Sequence, residues 1–108
     1  MSAKAKGSRR ERQARDLLLA AGYWVTKAGG SLGVFDLVAI PGNVDVEAPQ
    51  VVRLVQVKSN VWCGRDERAR MEGVAATLPG YCWVEQWRCD DREGWRKRRW
   101  NGHEWEEA

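Results

Sequence analysis

The chain has 108 residues, of which 44% are hydrophobic and 31% charged, the make-up of a soluble globular protein and too apolar for a disordered one. No apolar run approaches the length of a membrane-spanning helix, and residues 17–21 are too short for a signal-peptide core, so a cytoplasmic protein with no membrane partner is expected. Three cysteines without a Cys-x-x-Cys pair, and a single histidine, exclude a disulfide framework, zinc sites of familiar spacing and chemistry built on clustered histidines; any metal site must use oxygen ligands.

The net charge of +3 is unevenly spread. Lys4, Lys6, Arg9, Arg10, Arg12 and Arg15 face one acid, Glu11, near the N-terminus, and Arg96-Lys97-Arg98-Arg99 sits between Trp95 and Trp100. Each cluster by itself fits a solvated face as well as a phosphate-binding one. Two in so short a chain favour nucleic acid.

In chain order, residues 1–7 read as a flexible basic arm. Ser8 opens a helix to about residue 21, with Ala14, Leu17, Leu18 and Ala21 on one stripe and Gly22 as its stop. Tyr23–Lys27 is a short strand, 28–33 a glycine-rich loop, 35–40 a second strand closed by Pro41-Gly42, and 51–58 a third. After Cys63-Gly64 a helix with early acids covers 66–76 and ends at Pro79-Gly80. Residues 81–87 and 95–100 form a strand pair around the polar turn 90–94, and 103–108 are a short acidic tail. The expectation is a single α/β domain over 1–108, a mixed sheet of about five strands flanked by helices in the order α-β-β-β-α-β-β, with a right-handed crossover from the third strand to the fourth.

The third strand interrupts its own apolar character at Gln56 and Lys58, which alternation puts on one face roughly 7 Å apart. Folding 35–40 back against it through the intervening loop pairs residue 36 with about residue 56, so Asp36 joins them. A carboxylate and an amide oxygen are hard ligands suited to Mg²⁺, which takes few protein oxygens and keeps its remaining positions for water and phosphate. Lys58 would orient or deprotonate an attacking water, or offset developing negative charge. The spacing alone is a loose pattern, equally compatible with polar residues at a solvent-exposed strand tip.

Lys6-Gly7-Ser8-Arg9-Arg10-Glu11, Gly22-Tyr23, Lys27-Ala28-Gly29, Phe35-Asp36-Leu37-Val38-Ala39 and Val55-Gln56-Val57-Lys58 together resemble the archaeal-type Holliday junction resolvases of the PD-(D/E)XK nuclease superfamily. The likeness spans nearly the whole chain and is most specific over residues 6–58. It implies a restriction-endonuclease-like fold and a Mg²⁺-dependent endodeoxyribonuclease, Mn²⁺ substituting, that cuts four-way junctions to leave 5′-phosphate and 3′-hydroxyl ends. By residue it implies that Glu11 is the helix-borne acid, Asp36 the metal-binding aspartate and Lys58 the catalytic lysine. Ser31 matches a loop serine near the scissile phosphate, with a longer gap to Asp36 than is usual. Lys27 stands where arginine is common. Gln56 departs from the usual glutamate, keeping a ligating oxygen but losing a charge.

The candidate catalytic set is therefore Glu11, Ser31, Asp36, Gln56 and Lys58. Asp36, Gln56, the Val57 carbonyl and Glu11 form the metal set, and Lys4, Lys6, Arg9, Arg10, Lys27, Arg65 and Arg68 the DNA-backbone set. Ser8-x-x-Glu11 also matches a capping box, which gives Glu11 a structural alternative. The glycine loop lacks the Walker lysine and serine, so no nucleotide cofactor is expected. Trp24, Trp83 and Trp87 read as core or subunit-interface residues; Trp62, Trp95, Trp100 and Trp105 read as packing, with stacking on unpaired bases the sharper alternative. Two matched cuts need two sites, hence a C2 homodimer on branched DNA. The competing readings are a related nuclease acting on another DNA structure and a branched-DNA-binding protein without catalysis.

Overall fold

The computed structural model describes residues 3–28, 33–42 and 48–108, with 3–5 as backbone only. Eight elements follow in the order α1 (Ala3–Ala20), β1 (Tyr23–Lys27), β2 (Leu37–Pro41), β3 (Val52–Ser59), α2 (Arg65–Ala75), β4 (Cys82–Asp90), β5 (Gly94–Trp100) and β6 (Trp105–Glu107). All six strands lie in one sheet in sequence order. Only β3 and β4 run parallel, so the chain between them must cross over, and α2 is that crossover. The fold class is the mixed α/β sheet expected, with one strand more than anticipated.

The helices cover opposite faces of the sheet. Ala14 and Leu18 of α1 pack with Tyr23, Leu37, Ala39, Val55, Val57 and Trp87; Met71 of α2 packs with Ala28, Phe35, Leu54, Cys63 and Val84. Residues 54 to 57 of β3 are all buried, because a central strand with a helix on each side has no solvent face. The expected register of the β2–β3 hairpin is observed: Leu37 lies opposite Val55 and Val38 opposite Leu54. Gly22, at φ 96°, ends α1, a conformation that a side chain would strain.

Three expectations are corrected. Residues 3–7, expected as a flexible arm, continue α1 back to Ala3; Ala and Lys are strong helix formers, and the Lys6 and Arg10 side chains are held by Asp91. Ser8 therefore lies inside the helix and cannot cap it, which removes the capping-box explanation of Glu11. The acidic tail contributes β6, whose Trp105 packs against Trp100 with ring centroids 5.5 Å apart and the planes tilted by 51°; apolar burial at one tryptophan outweighs the tail's charge. Of the two places expected for Trp24, the core is excluded: the residue is 72% exposed in the single chain, on the face of β1 opposite α1. Its ring lies against Gly42, where a Cβ would come within 2.7 Å.

One buried ion pair braces the α1 side of the sheet. Arg53 donates from Nε and Nη2 to the two oxygens of Glu85, each at 2.6 Å, and Glu85 also accepts from Trp87 Nε1 at 3.1 Å. Glu85 is only 1% exposed, so these partners replace the water its carboxylate has lost.

Candidate active site

Asp36 stands one residue before β2, where its backbone is fixed from both sides. Its N–H donates to Val55 O and its carbonyl accepts from Ala28 N, each at 2.9 Å. Its carboxylate Oδ2 accepts the Val57 N–H at 2.7 Å, so the side chain is aimed across β3. Burial is the main influence on its acidity and pushes its pKa up to about 6, against the Val57 N–H, which favours the charged form. The Glu11 carboxylate facing it from α1 raises it further, and Lys58 partly offsets this. Two acids facing each other in a partly desolvated place attract a cation.

Glu11 is reached from the other side by Lys27, whose Nζ lies 3.5 Å from Oε2. Gln56 is 2% exposed, and its Nε2 donates to Glu67 Oε2 at 2.5 Å. Its Oε1 is buried and has no hydrogen-bond partner among the described residues. Lys58 Nζ lies 3.3 Å from the same Glu67 Oε2.

The structure thus brings Asp36 together with Glu11, Val57 and the influence of Lys58, and it joins Gln56 and Lys58 through a residue not anticipated, Glu67 in the first turn of α2. Val57 meets Asp36 through its N–H, which donates to the carboxylate. Ser31 lies outside the described residues. Among the described residues no three of His, Cys, Asp and Glu converge as a metal cluster, so the available donors are a carboxylate pair, the Gln56 amide oxygen and backbone carbonyls. That is a donor set Mg²⁺ accepts, since it commonly binds through one or two carboxylates. The orphaned, buried Gln56 Oε1 is the further sign of fit: such an acceptor is normally satisfied.

The basic residues divide unexpectedly. Lys6 and Arg10 converge on Asp91 at 2.5 and 2.9 Å, while Arg65 is exposed, Arg68 and Arg9 are half-buried and Lys27 is shared with Glu11. The side chain of Lys4 lies outside the described residues. The 96–99 cluster alternates between the two faces of the sheet. Arg96 and Arg98, with Arg88, fan over Trp62 at 5.5, 4.0 and 5.5 Å from its ring centre, whereas Lys97 and Arg99 lie over Trp87 and Trp83 at 4.1 and 3.9 Å on the face of Arg53. Strand alternation could have revealed this split. Of the tryptophans considered for stacking, Trp95 packs edge-on to Trp87 at 5.8 Å.

A six-stranded mixed sheet with a helix on each face, in which α2 crosses over between the parallel strands β3 and β4, defines the class of α/β fold. Within that class, the fold resembles that of an archaeal Holliday junction resolvase. It matches the crystal structure of Hjc from Archaeoglobus fulgidus with a TM-score of 0.65 and 22% identity, over 85% of this chain and 70% of that one. No family model and no curated protein matches the sequence. Among the described residues no helix is long and apolar enough to cross a membrane.

Proposed function

We propose that the protein is a metal-dependent, structure-specific DNA endonuclease that resolves four-way junctions as a C2 homodimer. The observation that carries this reading is the placement of Asp36: its carboxylate is fixed by the Val57 N–H beside Glu11, on the strand that carries Gln56 and Lys58. Likeness in fold to Hjc, described as a Holliday junction resolvase, supports the choice of substrate.

Asp36, Gln56 Oε1, the Val57 carbonyl and Glu11 would hold Mg²⁺, with Mn²⁺ as a substitute. When bound, the ion supplies Lewis acidity to the scissile phosphate and lowers the pKa of water beside it. The Lys58 ammonium, tethered at 3.3 Å to Glu67, orients the attacking water and offsets the charge that develops on the phosphate. Ser31, outside the described residues, precedes Asp36 by five positions in the sequence and is assigned to the scissile phosphate. Lys4, Lys6, Arg9, Arg10, Lys27, Arg65 and Arg68, joined by the arginines around Trp62, contact backbone phosphates, which fix position without reading sequence.

The test uses labelled four-way junction and matched linear duplex with Mg²⁺, Mn²⁺ or EDTA. Paired symmetric nicks in the junction alone, absent in EDTA and in Asp36→Ala, are expected. Binding without cleavage under every metal condition would refute the enzyme reading and leave a branch-binding protein. Equal cutting of flaps or nicked duplex would reassign the substrate.

A further inference from the structure

We infer that Glu67 is the positioning residue of the site: it supplies the negative charge that Gln56 lacks and forces the Gln56 amide oxygen towards the metal. The inference rests on the metal-nuclease reading above and deepens it. A carboxylate only accepts hydrogen bonds, so the Gln56 atom facing Glu67 Oε2 at 2.5 Å must be Nε2. Oε1, the other atom of the amide, is thereby held off Glu67, and it is this atom that is buried and without a partner among the described residues. A glutamine free to flip would present its NH₂ to a cation half the time. Here the flip is forbidden, because it would set an amide oxygen against a carboxylate inside a residue only 2% exposed.

Glu67 acts on the neighbouring cation as well. Its Oε2 lies 3.3 Å from Lys58 Nζ, so one carboxylate holds both polar groups of β3 on the α2 side. The topology makes this possible. The crossover leaves β3 just past Lys58, and α2 begins at Arg65, which returns its first turn to that end of the strand. Glu67 and Gln56 therefore form a carboxylate–amide pair in which the charge sits on the helix and the ligating oxygen on the strand.

The test measures Mn²⁺ binding to the full-length protein without DNA, by the loss of the free-ion EPR signal, with circular dichroism to confirm folding. Glu67→Gln keeps a possible hydrogen bond to Gln56 but removes the charge; Glu67→Ala removes both. Each should weaken Mn²⁺ binding by about 10-fold or more, the usual range for a group supporting a metal ligand, with Ala the worse. The exchange Gln56→Glu/Glu67→Gln reverses the pair and should restore binding to within about 2-fold of the wild type, since the amide then orients the carboxylate. Binding by Glu67→Gln and Glu67→Ala equal to the wild type would overturn the inference and leave the nuclease reading standing. A folded exchange variant as weak as Glu67→Gln would overturn it too. Should that variant not fold, the two single variants decide. A wild-type protein that takes up no Mn²⁺, or an Asp36→Ala variant that takes it up unchanged, would overturn the metal reading itself.

Discussion

Asp36→Asn should make the metal-free protein more stable while abolishing the proposed binding of metal. Burial and the facing Glu11 carboxylate raise the Asp36 pKa from 3.8 to about 6, so at neutral pH its ionised form is held in the fold at a cost. About two pKa units at about 1.4 kcal/mol each set the upper bound, and because the carboxylate is partly open to solvent, screening reduces the cost to about 1–2 kcal/mol. The sign follows from linkage: the native state binds the proton more tightly than the unfolded chain does. The cost is therefore absent below about pH 4, grows between the two pKa values and is complete above about 6. Asparagine keeps an oxygen for the Val57 N–H, 2.7 Å away in the wild type, and offers its NH₂ to Glu11. In EDTA at pH 8 the variant should melt about 5–10 °C above the wild type, and the gap should close by pH 4. Adding Mg²⁺ should narrow the gap at pH 8, because the ion stabilises only the protein that binds it. A lower melting temperature for the variant at pH 8, or a gain independent of pH, would refute the argument that Asp36 is a strained, buried charge.

Arg53→Ala leaves Glu85, 1% exposed, without its cationic partner and should cost about 3–5 kcal/mol in urea unfolding; a loss under about 1 kcal/mol would mean that Glu85 escapes to solvent. The two faces of β5 should separate in DNA binding. Arg96→Ala/Arg98→Ala should flatten the dependence of log K on log salt for a four-way junction by about 2, whereas Lys97→Ala/Arg99→Ala, on the opposite face, should leave the slope unchanged; equal effects would place DNA on both faces. Asp91 is held well into the acid range, at about 2, by Lys6 first and then by Asn60 and Arg10. Its tie to α1 is complete above the unfolded value of 3.8 and lost as pH falls through about 2. Asp91→Asn should accordingly speed amide exchange over the first turns of α1 at pH 7, and unchanged exchange would show that this helix end stands without the contact.

The hairpin, its register and the placement of Asp36 beside β3 follow from local sequence. Alternation assigns each side chain of β3 to a face, and a loop between antiparallel strands allows few registers once the apolar residues must be buried. Leu37 opposite Val55 is the outcome of that constraint. The departure at Gln56 and the helical stripe through Ala14 and Leu18 are legible in the same way. The start of α1 was not, because Ser8 satisfies a capping pattern that competes with the helix-forming residues ahead of it, and Asp91, distant in sequence, tips the balance towards helix. β6 was hidden for a related reason: its acids suggest a solvated tail, and only the nearby Trp100 provides something for Trp105 to pack on. Glu67 shows the limit most clearly. In the sequence it is one of several acids in a first helical turn, where the helix dipole alone explains it. Which of them meets Gln56 and Lys58 depends on the path and rotation of α2 across the sheet, set by the burial of Met71 against Leu54 and Val84. Sequence alone placed three polar groups at one strand end; packing decided which carboxylate from the helix completes them and which way the Gln56 amide points.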